Sequence, residues 1–145
     1  MTIQAGISLR FDRTLNAPPA KVYEVLSRAE NIPKWYGPND DFKIKVHAWD
    51  CRVGGKYRVE FNTPAGETHI VVGEFKELVP GSKMAYTWSW EGAPPMNTLV
   101  TFLLKAEGKG THLAFTHEGF PAEEAKEHHR QGWTGSLERL SRAVA

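Results

Sequence analysis

Residues 116–144 read THEGFPAEEAKEHHRQGWTGSLERLSRAV, a strand end that leads into a helix with one apolar stripe. The stripe recurs at intervals of four, four, four, three and four residues, at Ala125, His129, Trp133, Leu137, Leu140 and Val144. This spacing predicts an amphipathic helix over residues 122–144. Two histidines, His117 and His129, share this surface with Trp133, although a purely apolar core needs no imidazole. We therefore predict that this region lines a pocket.

Residues 45–118, which precede this stretch, carry strand and turn patterns throughout. Aromatic or aliphatic residues alternate with polar ones, as in Met84, Tyr86, Trp88 and Trp90, which is the period of a half-buried strand. Short turns separate the runs, so the strands are predicted to form an antiparallel meander. The predicted strands cover residues 56–62, 68–79, 84–91, 97–105 and 111–118.

The N-terminal part begins with a strand and continues into two short helices. Alternate residues from Ile7 to Leu15 are predominantly apolar, which predicts the first strand. Pro18 and Pro19 then favour a helix start, and Val22, Val25 and Leu26 follow at helical spacing. Residues 29–36 predict a second short helix or turn, which Gly37 and Pro38 end.

These elements predict a single α+β domain over residues 1–145 with a helix-grip architecture. A curved antiparallel sheet of about seven strands wraps the long C-terminal helix, and two short helices follow the first strand. A helix covers only part of such a sheet, so a cavity can remain between them. A dry void of about 300 Å³ would cost about 7 kcal/mol, so a retained cavity suggests a ligand, ordered water or collapse.

Composition excludes several classes of partner. The chain has 18 lysines and arginines against 17 aspartates and glutamates, so no net field favours nucleic acid. No stretch approaches the length of a membrane span. Cys51 is the single cysteine, and residues 1–6 lack the pattern of a signal peptide, so we expect a cytoplasmic protein. An open sheet edge or the mouth loops could support a homodimer, although no pattern demands one.

Candidate cavity residues come from the inward faces of the strands and the long helix. The same aromatic side chains could simply fill the core, and in this fold the inner wall of the sheet serves as both. Trp35 and Tyr36 could act as a gate at the cavity mouth or as a hydrophobic plug for the first helix. The predicted lining comprises Trp35, Tyr36, Tyr57, Val59, Phe61, Phe75, Tyr86, Trp88, Trp90, Phe102, Phe115, His117, His129, Trp133 and Leu137.

The two histidines of this set have alternative interpretations. His117 should point inward with Leu113 and Phe115, where it could bond a backbone carbonyl or a tyrosine hydroxyl, or anchor the polar group of a ligand. His129 could be a second anchor, or it could turn to the surface and pair with Glu127 or a neighbouring carboxylate.

The sequence predicts neither a metal site nor a cofactor. His47, His69, His112 and His128 fall mostly on outward positions, and their spacing matches no zinc motif. No catalytic residue is assigned with certainty. Cys51 lacks a helix start that would lower its pKa, and no serine lies in a nucleophile elbow. Gly54 and Gly55 precede no helix, so they do not form a phosphate-binding loop.

Eight short segments follow one another in a characteristic order: residues 31–38, 53–57, 72–75 with Pro80, 86–88, 100–102, 110–113, 116–120 and 129–133. Together they resemble a known family, the START-like superfamily (SRPBCC, the birch-pollen-allergen fold). Within it, the chain is similar to the C-terminal domain of activators of the heat-shock-protein 90 ATPase. The resemblance implies a sheet–helix cavity that various members use for lipids, polyketides or aromatic compounds, and a few for catalysis.

Three functional hypotheses follow. The preferred one is a module that binds a small hydrophobic or aromatic molecule in the cavity. The second is an enzyme, such as a cyclase or hydrolase, in which His117 serves as acid or base at a pKa lowered by burial. The third is a partner of a chaperone ATPase. Eukaryotic activators carry a separate N-terminal domain for much of that contact, whereas here the strand pattern begins at Ile7, so chaperone activation is disfavoured.

Overall fold

The computed structural model describes residues 7–94 and 98–145. The expectation about a signal peptide concerns residues 1–6, and the predicted strand 97–105 begins at residue 97, so these parts of the predictions lie outside the described residues.

The chain folds into seven strands and three α-helices within the described ranges. A single turn of 3-10 helix, Ala29–Asn31, precedes the second α-helix. In chain order the elements are β1 (Ser8–Leu15), α1 (Pro19–Ser27), α2 (Ile32–Trp35), β2 (Lys43–Trp49), β3 (Lys56–Asn62), β4 (Thr68–Val79), β5 (Lys83–Trp90), β6 (Thr98–Glu107), β7 (Gly110–Glu118) and α3 (Glu123–Val144).

All seven strands form one antiparallel sheet in the order β1-β7-β6-β5-β4-β3-β2. Strands β2 to β7 follow one another as a meander, and β1 pairs with β7. This confirms the predicted α+β helix-grip fold, with a long C-terminal helix and two short helices after the first strand. Strand β2 has no predicted bounds, because a register shift between Val46 and Ala48 interrupts its alternation and weakens the period-two signal there.

The core lies between the concave face of the sheet and the helices. Burial alternates along β3 and β7, so Tyr57, Val59 and Phe61 point inward, as do Phe115 and His117. Helix α3 supplies Trp133, Leu137 and Leu140 from its own buried stripe, as its spacing predicted. Two opposing apolar faces thus bury one another, which is the main stabilising contribution to the fold.

The segment after α2 is attached to α3 by the buried side chain of Arg139. Its Nη2 donates to the carbonyl of Pro33 at 3.0 Å, and its Nη1 donates to the carbonyl of Tyr36. Its Nε bonds Asp40 at 2.9 Å. Three connections from one guanidinium fix this segment beside the helix, since the planar fork orders all its donors at once.

Small residues of α3 allow the same segment to approach closely. Ser136 Oγ accepts a hydrogen bond from the Gly37 amide at 3.0 Å and bonds the Gly37 carbonyl at 3.1 Å. A Cβ at Gly135 would lie 1.9 Å from the carbonyl oxygen of Pro38. Position 135 therefore requires glycine, despite its unfavourable helix propensity.

We predict that Arg139→Ala lowers the free energy of unfolding by about 2–3 kcal/mol, because two carbonyls lose a charged donor in a buried setting. Urea denaturation followed by circular dichroism measures the change. Arg142→Ala is the matched control, since exposed Arg142 bonds the same Asp40 at 3.4 Å. Its effect should stay below about 0.5 kcal/mol. Equal losses in the two variants would contradict the role given to Arg139.

We predict opposite effects for alanine at two glycines of α3. Gly135→Ala should destabilise the protein, because the new methyl group meets the backbone of Pro38. Gly132→Ala should stabilise it by about 0.5–1 kcal/mol, because a Cβ there has no neighbour within 4 Å and alanine favours helix. Thermal unfolding of both variants tests the pair, and a loss of stability in Gly132→Ala would contradict the open space beside it.

Candidate functional site

A cavity of about 710 Å³ lies between the sheet and the N-terminal half of α3. The β3–β4 turn, the end of β5 and the segment after α2 complete its wall. Its surface is mainly apolar, with polar groups at intervals. The lining residues are Tyr36, Pro38, Phe42, Phe61, Thr63, Thr68, His69, Ile70, Trp88, Trp90, Glu91, Gly92, Ala93, Ala125, His128, His129, Gln131, Gly132, Trp133 and Ser136.

Aromatic rings form the deep part of this wall. Trp88 packs against Trp133 with ring centroids 5.0 Å apart, and its edge-to-face contact with Trp90 spans 5.5 Å. Phe61 contacts Trp90 at 5.8 Å and Tyr36 at 5.8 Å. The successive inward positions of β5 place Trp88 and Trp90 on one face, so the alternation of that strand builds the wall.

One face of α3 forms the opposite wall. Its lining positions follow helical spacing and combine small, polar and aromatic side chains: Ala125, His128, His129, Gly132, Trp133 and Ser136. Farther along the helix, Leu137, Leu140 and Val144 are fully buried against the sheet and the short helices. The cavity therefore begins where the helix stripe changes from large aliphatic residues to smaller and polar ones.

His129 connects the helix to strand β5. Its Nδ1–H donates to the carbonyl of Ala125 at 2.7 Å, and its Nε2 accepts from the indole N–H of Trp90 at 2.9 Å. A carbonyl can only accept and an indole N–H can only donate, so His129 is neutral in this arrangement. Burial lowers its pKa, against an opposing effect of the Ala125 carbonyl. Both ring nitrogens already have partners.

His117 connects strand β7 to the same helix. Its Nδ1 accepts from the indole N–H of Trp133 at 3.0 Å, so the proton of the neutral ring resides on Nε2. Burial first, and secondarily the nearness of His129, with which a second protonated imidazole would compete, hold the pKa of His117 well below its usual range. The predicted inward orientation is confirmed. The expected partner was wrong, because an indole takes the place of a backbone carbonyl or tyrosine hydroxyl.

Three buried side-chain nitrogens have no hydrogen-bond partner within the described residues. They are Nε1 of Trp35, Nε1 of Trp88 and Nε2 of His117. Of these three residues, Trp88 lines the cavity. Unsatisfied buried donors are rare in folded proteins, so each calls for an explanation.

The charges around the cavity are few and balanced. Glu91 is the acidic residue in the lining, and Arg58 binds it through two hydrogen bonds of 2.9 and 2.8 Å. Arg58 accordingly lowers the pKa of Glu91. Among the described lining residues there is neither a lysine nor an arginine. The wall therefore offers ring surfaces and neutral donors in preference to a cationic site.

The structure brings six of the predicted cavity residues to the cavity itself: Tyr36, Phe61, Trp88, Trp90, His129 and Trp133. The other nine lie in the buried core and are not among its lining residues: Trp35, Tyr57, Val59, Phe75, Tyr86, Phe102, Phe115, His117 and Leu137. His129 bonds Trp90 and the carbonyl of Ala125, so of its two alternatives the structure excludes the surface pairing with Glu127. Glu127 instead bonds Arg130.

Tyrosine hydroxyls organise the core behind the cavity. The hydroxyls of Tyr36 and Tyr86 bond one another, and Tyr57 donates to the carbonyl of Thr87 at 2.5 Å. Burial raises the pKa of all three phenols above the usual range. Tyr36 and Trp35 are both fully buried, which favours the plug over the gate.

Sequence reasoning missed several lining residues. Gly132 and Ser136 directly precede Trp133 and Leu137 of the predicted stripe, so they lie beside it on α3. The helical spacing therefore could have indicated both residues. His69 and His128, expected on outward positions, are exposed and belong to the rim. Phe42 and Pro38 lie on an irregular segment, so no periodicity could indicate their direction.

Within residues 7–94 and 98–145, no three His, Cys, Asp or Glu side chains come together as metal ligands would. None of the helices there combines the length and the apolarity that crossing a bilayer requires.

The fold and cavity define a START-like, helix-grip protein. Residues 16–145 match the family described as Activator of Hsp90 ATPase homolog 1-like protein. The chain belongs to this family, which confirms the resemblance inferred from its sequence segments. No curated protein matches the chain.

Solved structures show the same fold. Protein CV1439 from Chromobacterium violaceum is 35% identical with a TM-score of 0.87, over 94% of this chain and 96% of that one. The AHSA1 protein SPO3351 from Silicibacter pomeroyi is 20% identical with a TM-score of 0.82, over 95% and 97%. DynU16, of the dynemicin biosynthetic locus, is 19% identical with a TM-score of 0.77, over 94% of this chain and 46% of that one. The fold is thus compatible with the binding of a hydrophobic ligand.

We predict that stability falls as the pH drops from 7 to 5.5. Below the usual histidine pKa of 6.5, the unfolded chain binds protons at His117 and His129 that the folded protein does not. The loss begins near that pH and continues down to the folded pKa values, at up to about 1.4 kcal/mol per pH unit for each group.

Urea denaturation at several pH values measures this dependence, and His117→Gln should flatten it. His69→Gln is the control, because the side chain of His69 is 53% exposed. If the free energy of unfolding of His117→Gln depended on pH as strongly as that of the unaltered protein, the folded unaltered protein would accept a proton at His117, against this prediction.

Proposed function

We propose that the protein binds a small hydrophobic or aromatic molecule in the cavity between the sheet and α3. The observation that supports this most directly is a space of about 710 Å³ lined by the rings of Tyr36, Phe61, Trp88, Trp90 and Trp133. Ligand sites of soluble proteins have this size, and their walls are mostly apolar with a few polar groups.

Energetics favour an occupant over an empty cavity. A dry void beside large rings forfeits dispersion contacts on one side of each ring. The helix could have closed the space with larger residues, yet Gly132 leaves it open, since a Cβ there has no neighbour within 4 Å. An apolar ligand would restore these contacts.

The same cavity could serve an enzyme, but binding alone requires fewer groups. His117 was the candidate acid or base, and it is fully buried and absent from the described lining residues. His129 does line the cavity, with both nitrogens engaged. Contact with a chaperone ATPase, the third hypothesis, is supported by family membership alone.

We predict that Gly132→Phe blocks the binding of N-phenyl-1-naphthylamine, an uncharged probe whose fluorescence rises in apolar surroundings. The new ring would occupy the cavity, so the affinity of the protein for the probe should fall by about 10-fold or more. Fluorescence titration gives the dissociation constants, and circular dichroism verifies the fold of each variant.

Gly132→Ala is the matched control and should retain the affinity of the unaltered protein, since a methyl group occupies little of the space. Undiminished binding by folded Gly132→Phe would place the probe elsewhere and count against the proposal. Native mass spectrometry of protein purified from its own cells would then identify any copurified molecule.

A further inference from the structure

Three tryptophans line the cavity, and their indole N–H groups differ in whether they have a hydrogen-bond partner. Trp90 donates to Nε2 of His129 at 2.9 Å, and Trp133 donates to Nδ1 of His117 at 3.0 Å. Trp88 lies between them with 4% of its surface exposed, and its Nε1 has no partner in the described part of the chain. The unpartnered donor thus belongs to a residue of the cavity wall.

Three acceptor groups beside the Trp88 ring already take a hydrogen bond from another residue. The acceptor nitrogens of His117 and His129, whose rings lie 5.5 and 6.3 Å from that of Trp88, already take the other two indole protons. The carbonyl of Trp88 itself accepts from Thr98 Oγ1 at 2.5 Å. His117 adds a second unpartnered donor, Nε2–H, so the local imbalance is an excess of donors.

The charge of the wall decides which acceptor suits these donors. A carboxylate would need a cation to offset its desolvation, and the described lining holds no lysine or arginine. It holds Glu91 instead, which would repel an anion, and Arg58 is already bound to that carboxylate. An uncharged oxygen accepts from an indole N–H without either cost.

We propose that the ligand is an uncharged molecule with a carbonyl-type oxygen, and that Trp88 Nε1–H donates to this oxygen while the neighbouring rings hold the apolar part. This inference rests on the proposed function and adds the chemical class of the ligand. Trp88 is then the residue that orients the ligand, and Trp90 and Trp133 serve as walls.

Three naphthalene probes test the proposal. 2-Acetylnaphthalene presents a neutral carbonyl, 2-ethylnaphthalene has a similar shape without an acceptor, and 2-naphthoate carries a charge. Isothermal titration calorimetry should show 2-acetylnaphthalene binding about 5-fold tighter than 2-ethylnaphthalene, which is the effect of one net hydrogen bond. 2-Naphthoate should bind more weakly than both.

Variants assign the preference to one indole. Trp88→Phe keeps a ring and removes the donor, so the two neutral probes should bind this variant equally. Trp49→Phe is the matched control, since Trp49 is outside the described lining and donates to the carbonyl of Ser27 at 2.8 Å. It should keep the preference.

Nuclear magnetic resonance of the unaltered protein gives a reading that does not depend on variant folding. 2-Acetylnaphthalene should move the indole proton of Trp88 downfield, and 2-ethylnaphthalene should not. Equal affinities for the two neutral probes, or tightest binding of 2-naphthoate, would overturn the inference and leave cavity binding in place. Failure of all three probes to bind would overturn the proposed function and this inference with it.

Discussion

The guanidinium of Arg139 holds α2 and the irregular segment after it against α3. It holds the carbonyls of Pro33 and Tyr36 and the carboxylate of Asp40 against α3. The carbonyl of Pro33 lies in the single turn of α2 and that of Tyr36 directly follows it, so buried Arg139 supplies the hydrogen bonds that a longer helix would provide. Tyr36 and Pro38 thereby reach the cavity wall.

The two halves of α3, on either side of this attachment, differ in how tightly they pack against the rest of the protein. Toward its C-terminus, Leu137, Leu140 and Val144 are buried in close contact with the core. Toward its N-terminus, Ala125, His129 and Gly132 are partly buried and border open space. The aliphatic half can contribute stability while the other half tolerates a cavity, because a helix is rigid enough to be positioned from one end.

Much of this organisation follows from residue periodicity. The alternation in β5 and β7 predicted the inward direction of Trp88 and His117, and helical spacing predicted α3. Periodicity gives a direction but not a neighbour, so it could not tell lining residues such as Trp88 from core residues such as Phe102. It also failed where the pattern breaks, at the bulge of β2 and on the segment that carries Phe42, because tertiary contacts alone set the backbone there.

The paired indoles and imidazoles explain how an aromatic cavity keeps its shape. Trp90–His129 joins β5 to α3, and Trp133–His117 joins α3 to β7, so two hydrogen bonds connect the helix to the sheet around Trp88. Aromatic contacts have broad energy minima, whereas these bonds fix distance and direction. Each also requires a neutral imidazole, which burial favours. The histidines therefore preorganise the cavity around Trp88, whose own buried indole N–H has no partner among the described residues.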